Sequence, residues 1–375
     1  MTNYTFFSLV AGGVLLFEIV SLQFSFSMTA HSYGITALRA EFALPARVQR
    51  ALPALFTTAK SSVPDTVMFT GDVLLARNVE YLMNQKGSDY PFQGIDFSQF
   101  ETNSYLVGNF ESAIPNVHLP TEAGQMRFSV NPAHVPAAKQ AGFTHFSLAN
   151  NHTLDYGSSG YQNTWQTLIN NEIKPVGDPR GLSQQSVTIL DTESQKVALV
   201  AVELLQSVPS EAEVRALMQY ANSVSDMQIL YVHWGDEYIL TNNKTQRFFA
   251  ELFIANGIDL IVGHHPHVVQ NVERIDGILV FYSLGNFIFD QYDTSDTQES
   301  LVLKLNLGRT ATIDLLPVTS ENQLSQPELM TPKNHAKFLA SLANRSDSSL
   351  HSFIEAGRLP LHSLVASSTK MAMIN

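Results

Sequence analysis

Residues 145–157 read His145-Phe146-Ser147-Leu148-Ala149-Asn150-Asn151-His152-Thr153-Leu154-Asp155-Tyr156-Gly157. Residues 143–148 form a short apolar run of strand composition, and the run stops abruptly at amide and imidazole side chains. Helix signals stand on either side, over 133–141 closed by Gly142 and over 161–169. Helix, strand, polar turn and helix make the repeating unit of a layered α/β protein. The pattern recurs along the chain. Apolar runs at 66–70, closed by Gly71, and at 197–202, 227–232, 258–262 and 279–284 predict further strands. Between them, Ser210 and Glu213 form a capping box ahead of Val214, Leu217 and Met218, while Phe248, Phe249, Leu252 and Phe253 make an apolar stripe ended by Gly257. Leu301, Leu303, Leu305 and Leu307 alternate with Lys304 and Asn306, the period of a half-exposed antiparallel strand, so the sheets are expected to be mixed. After Pro317 the strand pattern fades; one short helix is expected from Thr331-Pro332, followed by a Ser-rich tail.

Chemistry-bearing residues gather at the carboxyl ends of these strands. Asp72 follows the first; Asn109 and Glu111 follow Leu106-Val107-Gly108; Asn151 and His152 follow Ser147-Leu148-Ala149; His233 ends 229–232; His265 and His267 follow Ile261-Val262-Gly263. A single polar residue there is ordinarily a turn-former. Repetition with metal-competent side chains points instead to one site, because ligands of open α/β sheets bind at that edge. Zinc, manganese and iron accept imidazole beside carboxylate and amide oxygen, and two such ions can hold a hydroxide in line with a phosphorus. His265 and His267 would supply imidazoles from one turn, Asn151 a neutral oxygen, and His152 a proton. The competing reading of residues 150–153 is a polar loop that caps the next helix, a role Ser158 and Ser159 could also fill.

Composition narrows the function classes. The 375 residues are 45% hydrophobic and 15% charged, which excludes disorder over most of the chain. A net charge of −12 argues against a nucleic-acid-binding surface over the whole protein. With no cysteine, thiol catalysis, disulfides and Cys-ligated metal are all excluded. Residues 6–17 and 19–28 are apolar apart from the intervening Glu18 and read as a membrane anchor or signal, with a hydrophobic helix packed on the protein as the alternative. The first basic residues, Arg39, Arg47 and Arg50, follow that segment; taken literally, the positive-inside rule leaves the remainder in the cytoplasm.

Six segments, in this order, resemble the CapA family of poly-γ-glutamate capsule synthesis proteins. They are Phe69-Thr70-Gly71-Asp72-Val73-Leu74-Leu75, Asn109-Phe110-Glu111-Ser112, residues 145–157, His233-Trp234-Gly235-Asp236-Glu237-Tyr238, Gly263-His264-His265-Pro266-His267-Val268-Val269-Gln270 and residues 281–291. The likeness spans about residues 66–318. It implies an α/β fold, a four-layer αββα sandwich with mixed sheets of the metallophosphoesterase type, as a domain over 64–318. An N-terminal anchor and spacer over 1–63 would precede it, and a helical or flexible tail over 319–375 would follow. It also implies a protein at the extracytoplasmic face of the cell membrane, working with poly-γ-glutamate synthase or export components and an anionic polymer.

Carried over residue by residue, the resemblance implies metal ligands Asp72, Glu111, Asn151, His233, His265 and His267 for Mn, Zn or Fe, and His152 as general acid. Asn109, Arg127, Asp155 and Asn286 are substrate-binding or supporting candidates, with Arg127 able to clamp a carboxylate or phosphate. Two positions depart from the wider metallophosphoesterase pattern: Leu74 stands where a histidine is usual, and Asn109 where a bridging carboxylate is usual, unless Glu111 substitutes. His264 could replace either histidine of the pair or point away, and Trp234 and Tyr238 could stack on a ligand or sit in core or rim. Two functions follow: an accessory of capsule polymer synthesis or export, or an active metal-dependent hydrolase of phosphoesters or envelope amides.

Overall fold

The computed structural model describes residues 63–99, 103–122, 124–308 and 310–362. The apolar segment at 6–28 and the extreme C-terminus lie outside them. The chain first lays down β1 (Thr66–Val73), β2 (Tyr105–Phe110), β3 (His145–Ser147) and β4 (Lys174–Val176), all parallel. A second sheet follows: β5 (Val187–Asp191), β6 (Lys196–Glu203), β7 (Met227–His233), β8 (Leu260–His264), β9 (Val272–Ile275) and β10 (Ile278–Phe281). The chain then returns to the first sheet with β11 (Asn286–Ile288), β12 (Glu299–Asn306), β13 (Thr312–Thr319), β14 (Glu328–Leu329) and β15 (Arg358–Pro360). The first sheet runs β14-β13-β12-β1-β2-β3-β4, with β11 on β1 and β15 on β13; the second runs β5-β6-β7-β8-β10-β9. Both are mixed, since β12 is antiparallel to β1 and β5 to β6.

Alternate side chains of each strand serve different layers, as the two-residue period requires. Val67 and Phe69 of β1 pack with Leu199, Ala201, Ile229 and Tyr231 in a core between the sheets. Met68 and Leu106 face outward onto helices α1 (Arg77–Lys86), α2 (Val135–Gln140) and α3 (Gly157–Asn170) through Val79, Val135 and Leu168. Ala198, Val200 and Leu230 face the other way, onto α4 (Glu211–Val224) and α5 (Lys244–Ala255), through Val214, Leu217 and Phe253. Helix, sheet, sheet and helix thus stack as the expected four-layer αββα sandwich with mixed sheets. Truncating one of these buried aromatics, Phe69 or Phe253, would cost about 3–5 kcal/mol.

Local signals explain the helix starts. Ser210 and Glu213 make the expected capping box on α4, and Asn243 with Gln246 makes a second on α5. No side chain caps α3, whose N-terminal flank is Tyr156, so neither residues 150–153 nor Ser158 and Ser159 perform that task. The segment expected as a tail is built into the sandwich as far as residue 362. The helix begun at Thr331-Pro332 is α6 (Pro332–Arg345), followed by α7 (His351–Glu355). Phe338, Leu342 and Ile354 enter the inter-sheet core, and β15 pairs with β13. The burial of these apolar faces accounts for the difference from a mobile tail.

The register aligns the strand ends that matter. Asp72 lies beside Asn109 of β2 and Asn286 of β11, Asn109 beside Ser147, and His233 beside His264. Two glycines allow this approach. A Cβ on Gly71 would fall 1.9 Å from the Gly285 carbonyl oxygen, and one on Gly263 would fall 2.0 Å from that of Tyr282. Tyr231 Oη donates to Thr70 O at 3.1 Å, tying the second sheet to the first just below the site.

Candidate metal centre

The site is assembled from both sheets. Asp72, fully buried at the end of β1, accepts from Asn109 Nδ2 at 2.7 Å and from the His265 backbone N–H at 3.3 Å. Asn109 also donates to His233 Nδ1 at 3.1 Å, and its Oδ1 accepts from Asn150 Nδ2 at 3.1 Å. The other nitrogen of His233, Nε2, donates to Asn151 Oδ1 at 2.8 Å. An amide chain therefore joins β1, β2 and the 150–151 turn to β7, and every polar atom of the Asn109 side chain has a partner.

His265 and His267 lie in the turn after β8 with φ of 95° and 58°, in the left-handed region that side-chained residues occupy only when their surroundings impose it. His267 Nδ1 donates to Asn286 Oδ1 at 2.9 Å and lies 3.5 Å from Asp72 Oδ2. Its Nε2 is 3.7 Å from Glu111 Oε1. Glu111 is wholly buried, and neither carboxyl oxygen has a hydrogen-bond partner; His265 Nδ1 is also buried without one. Such orphaned groups are costly in a native interior and call for an explanation.

Electrostatics follow from this crowding. Burial pushes the Asp72 carboxyl up, but the adjacent His264 and His267 outweigh it and hold the group well below its ordinary value. For Glu111, burial and the charges of Asp72 and Glu237 prevail over His267 and Arg77, raising it to about 8. Burial pulls His267 down, yet Glu111, Asp72 and Asn286 carry it up to about 9. His265 is lowered to about 4 by burial and by the neighbouring His267, and burial likewise lowers His233.

The donor set fits a divalent cation. Glu111, His265 and His267 each offer a ligand atom within 4.8 Å of the others, and so do Asp72, Glu111 and His233; the two sets share Glu111. The unpartnered Glu111 oxygens and His265 Nδ1 are the atoms such an ion would satisfy, and mixed carboxylate and imidazole donors suit a transition metal. Asn151 stands beside the cluster through His233.

His152 flanks the centre. Its ring stacks on Phe128 with centroids 3.9 Å apart, its Nδ1 hydrogen-bonds Asp155 Oδ2 at 3.0 Å, and its Nε2 lies 3.9 Å from Glu111 Oε1. Asp155 Oδ2 also accepts from the Phe128 backbone N–H at 2.7 Å, fixing ring and histidine together. His264 turns inward, 3.4 Å from Asp72 Oδ1 and with its ring 4.1 Å from that of Tyr231. Leu74 points into the helix-side core. Trp234 is core, donating to Tyr282 O at 2.8 Å, while half-exposed Tyr238 forms the rim with its ring 6.2 Å from that of His267.

Arg127 does not join the cluster. It is exposed, its Nε donates to the Asp155 backbone carbonyl at 3.0 Å, and its guanidinium lies over Tyr156. The cation that approaches instead is Arg77, overlooked because it opens an ordinary-looking helix. It lies over Phe128 and pairs with Asp290. The signal was present in principle: Arg77 comes five residues after Asp72, past the same strand end.

Residues 66–291 match the family described as bacterial capsule synthesis protein PGA_cap. The chain is 32% identical over 263 residues to the PGA biosynthesis protein CapA of Bacillus subtilis, covering 65% of this chain and 68% of that one. It is 29% identical over 294 residues to the capsule biosynthesis protein CapA of Bacillus anthracis, with coverages of 70% and 69%. Among solved structures, a phosphatase from Mycoplasma pneumoniae aligns over 71% of this chain and 92% of its own with a TM-score of 0.40 and 12% identity. With the capsule family matching over most of the described sandwich, the chain belongs to the PGA_cap family of bacterial capsule synthesis proteins.

Proposed function

We propose that this chain serves the synthesis or export of poly-γ-glutamate, tethered by its apolar segment at 6–28 to the extracytoplasmic face of the membrane. On this reading Asp72, Glu111, His233, His265 and His267 hold a divalent Mn, Zn or Fe ion, with Asn151 as a neutral oxygen donor. Its partners are the polymer synthase or export components and the anionic polymer itself. The observation that carries the metal reading is Glu111, a fully buried carboxylate with no hydrogen bond, set among histidines that converge on it. A bound ion would supply Lewis-acid polarisation of an oxygen atom.

The protein's own groups do the rest. Asn286 orients His267 through Nδ1, which leaves Nε2 toward Glu111. Asp155 and Phe128 orient His152, which leaves its Nε2 to hold or deliver a proton beside the cluster. The buried walls formed by Phe128 and Phe289 limit water around these groups.

The test is the metal content of the purified full-length protein against that of the variant with His265→Ala and His267→Ala together, with surface polymer measured in the same strains. Loss of both metal and polymer supports the reading. Equal metal in the two proteins removes the site, and unchanged polymer in the double variant separates the site from capsule function. A second reading, an active metal-dependent hydrolase of phosphoesters or envelope amides, is favoured by the His152–Asp155 pair, an arrangement suited to a general acid. Metal-dependent turnover of phosphomonoesters, phosphodiesters or γ-glutamyl amides separates the two.

A further inference from the structure

Arg77 opens α1 just beyond the strand that delivers Asp72. Its φ is 54°, a conformation that a side-chained residue keeps only where its neighbours over-determine it. Those neighbours are identifiable. Asp290 accepts from Arg77 Nε at 3.2 Å, pairs with Nη2 and also accepts from the Asn78 backbone N–H at 3.0 Å. The guanidinium carbon lies 4.5 Å from the centre of the Phe128 ring and 5.5 Å from that of Phe289.

The same two rings support the site histidines. Phe128 stacks on His152, and Phe289 lies 4.7 Å from His267. Arg77 is thus held between the rings that pack on His152 and His267, whose Nε2 atoms lie 3.9 and 3.7 Å from Glu111 Oε1, and the Glu111 carboxyl feels its charge. Among the described residues Arg77 Nη1 has no hydrogen-bond partner, and the side chain retains 17% exposure. A planar fork locked by a carboxylate and two rings, with one edge unused, is pre-organised to bind a second oxyanion at little further cost in side-chain entropy.

We propose that Arg77 is the oxyanion-recognition residue of this site, donating from its Nη1 edge to a carboxylate or phosphate oxygen of the substrate. The proposal rests on the reading of the Glu111 cluster as the working centre, and it transfers to Arg77 the clamp expected of Arg127. The rival account is that Arg77 only tethers α1 to Asp290.

Titration calorimetry on the full-length protein separates these accounts, with inorganic phosphate and a γ-linked glutamate oligomer as probes and metal content measured on each sample. Binding of phosphate alone marks a phosphoester substrate, and binding of the oligomer marks the polymer or its precursors; either supports the proposal if it depends on Arg77. Arg77→Gln should weaken binding roughly 10–100-fold at unchanged metal content, the scale of one lost charge-assisted hydrogen bond. Arg77→Lys, which keeps the charge and loses the fork, should weaken it less and carries the decision if the Gln variant does not fold. Wild-type affinity in both variants, or no binding of either probe by wild type, overturns the proposal. If anion binding depends on Arg77 while neither wild type nor the double His265→Ala and His267→Ala variant contains metal, the proposal stands and the metal reading falls.

Discussion

Replacing Glu111 by Gln asks whether the buried carboxylate exists to serve an ion. In metal-free protein the substitution removes no hydrogen bond, because neither Glu111 oxygen makes one. With its carboxyl raised to about 8, Glu111 is mostly neutral at pH 7, so Gln in its place changes little charge. The unfolding free energy of chelator-treated protein should therefore change by less than about 1 kcal/mol, within the range of a modest buried substitution. Metal-loaded protein should behave differently. At an ion concentration one hundred times the wild-type Kd, binding stabilises the native state by about 2.7 kcal/mol. If losing a shared ligand weakens affinity about a hundredfold, the same concentration leaves the variant only about 0.4 kcal/mol. The variant should then lie about 2.3 kcal/mol below wild type with metal and level with it without. That gap corresponds to roughly 3–4 °C in Tm for a sandwich of this size. Urea or thermal unfolding of both proteins, with chelator and with Mn, Zn or Fe, measures the four values. Equal losses of stability on chelation in wild type and variant would refute the assignment of Glu111 as a ligand.

Other outcomes follow from the same geometry. His152→Asn should lower turnover of an aryl phosphate by about 10²–10⁴-fold with metal content unchanged, if the hydrolase reading holds; an equal rate removes His152 as general acid. His145 is 5% exposed, and burial, with Lys174 and Lys139 nearby, lowers it to about 3. Between pH 6.5 and 3 the unfolded chain binds this proton and the native chain does not, so stability falls as pH drops through that window. Between pH 7 and pH 4 wild type should lose about 3 kcal/mol more than His145→Gln, measured by urea unfolding at each pH; parallel curves contradict the assignment. A reporter fused after Asn375 should be active outside the cytoplasm, and deletion of residues 6–28 should release the protein from carbonate-washed membranes; cytoplasmic reporter activity would vindicate the literal charge reading instead.

The strands and the edge that carries the site were legible because each apolar run ends in an abrupt change of chemistry, as at Gly71-Asp72 and Gly263-His264-His265. The resemblance carried Arg127 as a clamp, but a place in a motif does not fix which way a side chain faces. Phe128 is buried against His152 while its neighbour Arg127 faces solvent. Arg77 acquires its meaning from Asp290, 213 residues later, a contact that no local window contains. The late strands β14 and β15, two and three residues long, are too short to display a period, so the sheet edge they form left no pattern to read. Glu111 was visible as a residue, but its lack of any partner is a property of packing alone.

The pairing of β1 with β12 has a consequence for the order of events during synthesis. Thr66 finds its neighbour in Asn306, 240 residues further on. At about 5–20 residues per second, that partner leaves the ribosome some 12–48 s after β1 does. Through that interval one flank of β1 lacks its backbone partner, and closing so long a loop is slow as well as entropically costly. The donors obey the same timetable: Asp72 emerges early, His265 and His267 nearly two hundred residues later, and Asn286, which orients His267, later still. A nascent chain therefore cannot present the assembled cluster. On the metal reading, the donors and the residue that orients His267 come together only after the chain has grown past Asn286 and β11 has joined β1.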